Sequence, residues 1–426
     1  MKQLLVLLVI VAGCSLHAQR STAEKTVSPQ ARIMPGAERL DQYLPMIRGK
    51  KIGVFANQTS MVGRTHLVDT LKKLGIDIKV IFGPEHGFRG TADAGEQVGN
   101  YIDQKSGIPV VSLYGSKRRP SADDLKDIDV LVYDIQDVGV RFYTYISSLQ
   151  EYMEAALVAN IPLLVLDRPN PNGFYVDGPV LETSFRSFVG MQPIPVVYGM
   201  TIGEYAQMIL LENWLGDEAN AAFRRVMASR YTAGARYFHL DVIPCDNYTH
   251  KSRYVLPVAP SPNLPGIQSV YWYPSTCYFE GTVLSEGRGT DKPFQVFGHP
   301  SLPKNLYSFT PVSKPGATDP KLKGQVCYGW NVSTGQASQK DGNRIQLSYL
   351  IEAYRLFPDK DNFFIKPKKD NPKAQDWSFN RLAGNADLMQ QLKDGKTEAE
   401  IRKSWGPRIA DFKVIRKKYL LYSDFE

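Results

Sequence analysis

Between residues 50 and 170, short apolar runs recur with helix-like stretches between them, and this alternation limits the chain to few folds. The runs lie at 51–56, 78–82, 108–113, 130–134 and 163–166. After the first, Leu67, Leu71 and Leu74 mark one face of a helix that stops at Gly75. A short helix is expected at 123–126 and a longer one over 145–159. Strands that alternate with helices join into a parallel sheet through right-handed crossovers. The pattern therefore predicts an α/β protein with a Rossmann-like, doubly wound N-terminal domain. A strand at 196–198, a helix at 202–211 and a strand within 238–243 extend it.

Near residue 256 the texture changes. Pro257, Pro260, Pro262, Pro265 and Pro274 punctuate a tyrosine-rich stretch, and short strand-like runs then mix with helices at 345–355 and 386–392. This predicts a Rossmann-like domain over 36–256 and a smaller α+β domain over 257–426; a length of 426 residues with 43% hydrophobic content can fill both cores. Ahead of them, Lys2 and the apolar run 4–11 have the shape of a secretory signal and are too short to span a bilayer. Residues 1–18 read as that signal and 19–35 as a polar tether. Val11-Ala12-Gly13-Cys14 resembles a lipobox, which would anchor the protein to a membrane through a lipidated Cys14, whereas Leu16-His17-Ala18 offers ordinary cleavage. Either route predicts an exported, periplasmic protein, soluble or lipid-anchored.

Cys245, Cys277 and Cys327 remain, an odd number without close spacing, so neither a disulfide framework nor a zinc motif is indicated. The formal charge of +8 comes from scattered Lys and Arg. Nucleic acid is not an expected partner; an acidic cell-wall polymer suits the compartment, as does simple solubility.

The chemistry concentrates where the second run ends. Gly83-Pro84 stops the strand, and Glu85, His86 and Arg89 follow within five positions, separated by Gly87 and closed by Gly90. Glycine lets such a turn bend sharply and approach a ligand. Other runs end in a similar way: Asn57-Gln58-Thr59, Tyr114-Gly115, Asp134 with Gln136 and Asp137, Asp167-Arg168 with Asn170, and Tyr198-Gly199. Parallel strands bring these groups to one edge, where amides, carboxylates and an arginine can hydrogen-bond many hydroxyls, as a carbohydrate demands. Taken singly, each is also an ordinary loop residue. A glycine-rich loop at 286–294, with Glu286, Arg288 and Asp291, is either a second wall of the site or a solvated hairpin.

The sequence has no dinucleotide or P-loop glycine pattern, no G-x-S-x-G elbow and no H-E-x-x-H pair. No cofactor or metal is expected, and carboxylate-based acid catalysis remains. Glu85 is the candidate acid, since partial desolvation behind a buried strand favours the neutral, proton-donating form. His86 could orient it. The alternative is that Glu85 merely pairs with Arg89. Arg141 either binds a substrate carboxylate or pairs with Asp134 or Asp137.

Four motifs carry a resemblance. Gly83-Pro84-Glu85-His86-Gly87-Phe88-Arg89-Gly90, the stretch from Tyr133-Asp134-Ile135-Gln136-Asp137 to Arg141-Phe142-Tyr143-Thr144-Tyr145, Leu166-Asp167-Arg168-Pro169-Asn170-Pro171, and Glu286-Gly287-Arg288-Gly289-Thr290 are similar to signatures of the exo-β-N-acetylmuramidase family. The resemblance runs from about residue 38 to the C-terminus. It implies a Rossmann-like domain with a smaller partner, a cleft between them, release of N-acetylmuramic acid from non-reducing ends of peptidoglycan fragments, and Glu85 as the catalytic glutamate.

On the combined reading Glu85 protonates the leaving oxygen, and Asp134 or Asp137 acts as base, nucleophile or stabiliser. Arg141, Arg168 or Arg288 meets the lactyl carboxylate. Asn57, Gln58, Arg89, Gln136, Tyr143, Asp167, Asn170, Glu286 and Asp291 supply further contacts. The commonest doubly wound order puts one strand between those of Glu85 and Asp134, which favours the wide carboxylate gap of an inverting enzyme. A muropeptide-binding lipoprotein without turnover is the alternative.

Overall fold

The computed structural model describes residues 31–85, 87–90, 99–229, 237–334 and 343–426. The expected roles of His86, the signal segment and Cys14 fall outside them. Residues Ile33–Glu426 pack as a single unit.

A seven-stranded sheet sits at its centre. The order is Tyr101–Ile102, Pro109–Ser112, Asp77–Gly83, Lys51–Ala56, Val130–Asp134, Leu163–Leu166 and Leu240–Ile243. Every pairing is parallel except that of the short Tyr101–Ile102 edge strand. Lys51–Ala56 lies between the strands that lead to Glu85 and to Asp134, as the doubly wound order predicts.

Alternation along each strand builds two cores. Ile52, Val54 and Ala56 point to one face, where Tyr43, Ile47, Leu67, Val68 and Leu71 from helices Leu40–Ile47 and Leu67–Lys73 cover them. Phe55, Leu131 and Tyr133 point to the other, against Leu149, Tyr152 and Met153 of helix Tyr145–Val158 and Ile209 of helix Ile202–Leu211. Both faces are covered, so these strands are apolar at nearly every position. Gly53 is small because a Cβ there would come within 2.9 Å of Leu131.

The second core does not stop at the sheet. It runs on through Phe279, Phe297, Phe379 and Phe412. These belong to a region built on an antiparallel sheet, with Cys327–Asn331 between Val296–His299 and Tyr307–Phe309, and on helices Ser348–Leu356, Ser378–Ala383, Asp387–Lys393 and Glu398–Arg416. The last of these helices and the tail after it reach back to the parallel sheet. Arg402 holds Asp177 at 2.9 Å, Arg416 donates to the Gly199 carbonyl, and the Tyr422 hydroxyl meets Asp167 at 2.5 Å.

Two expected elements are absent. Residues 123–126 form turns, because Ser121 N–H and Oγ both bind the Asp124 carboxylate, at 2.6 and 2.7 Å, and divert the chain from helical bonding. Residues 196–198 are no strand of the main sheet; Val197 instead makes isolated bridges to Val140 and Asp177.

Candidate active site

The turn after the Asp77–Gly83 strand positions Glu85. Gly83 accepts from Leu113 N–H at 2.8 Å, Gly87 N–H closes on the Pro84 carbonyl at 3.0 Å, and Gly87 takes the left-handed φ of 74° that the turn requires. Phe88 is fully buried, edge-on to His66 with ring centres 4.9 Å apart. Arg89 crosses the Phe88 ring and forks onto Asp103 at 3.1 and 2.8 Å. Arg89 is thus an anchor of the turn, ion-paired to Asp103 and Asp69. Glu85 Oε1 receives the Tyr114 hydroxyl at 3.0 Å. Burial and the Glu85 charge push the Tyr114 phenol well above its usual range, so it remains a donor.

Glu85 and Tyr114 open into a cavity of about 400 Å³. Phe142, Tyr143, Tyr145, Tyr273 and Phe294 give it aromatic walls, and Asn263, Glu280, Arg288 and Arg118 add polar groups. Aromatic faces suit the C–H faces of a sugar ring, while the polar groups can address hydroxyls and an acetamido group. Phe294 is held at φ 60°, a left-handed conformation rare for an aromatic residue, by its N–H on the Glu286 carbonyl and by the Thr276 hydroxyl on its own carbonyl.

Arg288 bonds Glu280 at 2.6 Å and approaches Glu286 at 3.3 Å, and Lys321 meets Glu286 at 2.7 Å. Burial opposes charge on Arg288, but the two carboxylates more than offset it and raise its pKa. Glu286 is buried, whereas Glu280 faces the cavity. Asp291 is 88% exposed and ion-paired to Lys314, away from these walls.

Most of the polar strand ends occupy a different place. Asp134 is fully buried and clamped by Arg168 at 2.6 and 2.9 Å, while Arg168 also donates to the Met61 carbonyl. Asp137 accepts the Tyr198 hydroxyl at 2.5 Å and Gly139 N–H at 2.6 Å; burial pushes its carboxyl up to about 6, only partly countered by those bonds. Neither carboxylate is among the residues that line the cavity.

The expected sugar contacts beyond Tyr143 divide in the same way. Asn57 binds the Tyr145 hydroxyl and Thr59, Gln58 the Ala259 and Pro260 carbonyls, Gln136 the Asp137 and Pro169 carbonyls, and Asn170 the Met200 carbonyl. Asp167 accepts from Gly203 N–H and Tyr422. Arg141 is fully buried on four carbonyls, those of Pro179, Ile194, Leu382 and Ala383, at 2.7–2.8 Å. Tyr143 does reach the cavity, with its hydroxyl on the Pro260 carbonyl. Sequence reasoning missed Arg118, Phe188, Asn263 and Tyr273.

A Rossmann-like sheet delivers a carboxyl group to a cavity with aromatic walls and polar groups, an arrangement that suits a carbohydrate, and the class of protein is a glycosidase. The chain belongs to the exo-β-N-acetylmuramidase NamZ family: the family's N-terminal model matches residues 52–268 and its C-terminal model 271–422. It is 34% identical over 433 residues to the peptidoglycan β-N-acetylmuramidase NamZ of Bacillus subtilis (strain 168), an alignment that covers 97% of this chain and 96% of that protein. Crystal structures of two DUF1343 family proteins from Bacteroides fragilis NCTC 9343 are also similar. One is 41% identical with a TM-score of 0.80, covering 92% of this chain and all of the other; the second is 29% identical with a TM-score of 0.72, covering 93% and all.

Proposed function

We propose that this enzyme releases N-acetylmuramic acid from the non-reducing ends of peptidoglycan fragments, with Glu85 as general acid. The observation that carries the reading is the Glu85 carboxyl at the cavity, oriented by the Tyr114 hydroxyl at 3.0 Å. Glu85 protonates the glycosidic oxygen as the bond to the sugar breaks. Glu280, held by Arg288, is the other carboxylate that lines the cavity among the described residues, and it stabilises positive charge as the sugar approaches an oxocarbenium ion. The enzyme works outside the cytoplasm, delivered by the signal at residues 1–18.

The test is hydrolysis of a chromogenic β-N-acetylmuramide. Glu85→Gln keeps the shape and removes the transferable proton, so turnover falls by about 10²–10⁴-fold while the thermal midpoint holds. A folded Glu85→Gln protein with full activity rejects Glu85. A wild type that binds the glycoside and leaves it intact is the muropeptide binder instead.

A further inference from the structure

N-acetylmuramic acid differs from N-acetylglucosamine by a lactyl ether that ends in a carboxylate, so a site that prefers it needs a cation in reach of the sugar. The three arginines singled out from sequence each have standing partners: Arg141 four carbonyls, Arg168 the Asp134 carboxylate, and Arg288 the Glu280 and Glu286 carboxylates.

Arg118 differs from all three. It sits in the run Lys117-Arg118-Arg119, whose outer members are ion-paired, Lys117 to Asp124 at 2.6 Å and Arg119 to Glu151 and Glu154 at 2.6 and 2.9 Å. The middle member lines the cavity wall. Its guanidinium lies 4.2 Å from the Phe188 ring centre and its Nε reaches the Gly115 carbonyl at 3.3 Å; among the described residues no carboxylate comes within 4 Å of it. Gly115 follows Tyr114, so one turn sets both the hydroxyl on Glu85 and the cation. Stacking on Phe188 fixes the plane of the guanidinium and leaves its outer N–H groups to a bidentate acceptor. Arg118 and Phe188 also border a second cavity of about 520 Å³, which gives a substituent on the sugar room to extend.

We propose that Arg118 is the specificity residue of this enzyme and binds the free lactyl carboxylate of the terminal sugar. This rests on the muramidase reading above. The experiment compares kcat/KM on a chromogenic β-N-acetylmuramide, its lactyl methyl ester and the matching β-N-acetylglucosaminide, for the wild type, Arg118→Gln and Arg118→Lys. Calorimetric binding of N-acetylmuramic acid and N-acetylglucosamine is measured alongside. Arg118 is exposed, so both variants should fold. Losing a charge-assisted bidentate contact lowers kcat/KM on the acid by about 10- to 100-fold, chiefly through KM. The preference for acid over ester falls towards one in Arg118→Gln and is partly restored in Arg118→Lys. If the wild type cleaves the muramide and Arg118→Gln keeps its preference for the acid, Arg118 is overturned and the muramidase reading stands. If the wild type neither cleaves the muramide nor binds N-acetylmuramic acid, both fall.

Discussion

Two arginine–carboxylate clusters lie near the carboxyl edge of the sheet, and they do opposite work. At Asp134–Arg168 both partners are almost wholly enclosed, and Nη2 of the arginine also donates to the Met61 carbonyl. At Glu280–Arg288–Glu286–Lys321 one carboxylate is buried between two cations, while the other is 30% exposed and faces the cavity. The residue types are the same, but only the second cluster keeps a charged group where a ligand can reach it. A closed pair fixes the backbone of the loops; an open one can take part in chemistry.

Removing one cation from each cluster separates these roles. Arg168→Ala strands a buried Asp134 charge, and the expected loss is about 3–5 kcal/mol of stability. Arg288→Ala leaves Glu286 its Lys321 partner, so it should lower the thermal midpoint far less and lower kcat/KM more than its stability loss explains. Denaturant titration beside kinetics on both variants checks this. Equal destabilisation would dissolve the distinction.

The closed region should also carry its own pH signature. Folding raises the Asp137 carboxyl from 3.8 to about 6, so its contribution to stability is full below about 3.8 and is lost as pH rises through about 6. A shift of that size is worth roughly 2–3 kcal/mol. Asp137→Asn should therefore flatten the fall in thermal midpoint between pH 4 and 7 without moving the activity profile. Asp167, pushed up to about 6 by burial, keeps its own share of the slope in that variant.

The open region predicts the smallest effect. Tyr114→Phe removes one hydrogen bond to Glu85 and no bulk, so kcat should fall by roughly tenfold with an unchanged thermal midpoint. A drop in stability without a drop in kcat would move Tyr114 into the closed class.

How much of this could be read in the sequence follows from how local each signal is. The strand order and the Glu85 turn were legible, because apolar runs, Gly83-Pro84 and the glycines after them act within a few residues. The fate of the other strand-end groups was not, since Asn57, Gln136 and Asn170 resemble sugar-binding amides until the loops close and groups from distant segments claim them, the Tyr145 hydroxyl for Asn57 and the Pro169 and Met200 carbonyls for the other two. Arg118 was hidden for a related reason. A run of three cations reads as solvated surface, and its sorting into two paired members and one that faces the cavity depends on Asp124, Glu151 and Glu154. Arg141 stands in a signature motif, yet its partners lie up to 242 positions away.

The bond from Tyr422 to Asp167 ties the stability of the parallel sheet to the C-terminal segment. Asp167 belongs to the end of a strand made early in translation, but its hydroxyl partner is separated from it by 255 positions. Until that partner arrives, a carboxyl group at the edge of the sheet must stay hydrated or be buried short of a hydrogen bond, and the sheet cannot close over it at full stability. Arg416, which seals the Gly199 carbonyl from 217 positions away, imposes the same delay. Asp167 and the Gly199 carbonyl therefore gain these partners only when residues 416–422 pack back against the sheet, so the parallel layer and the C-terminal segment are stabilised together.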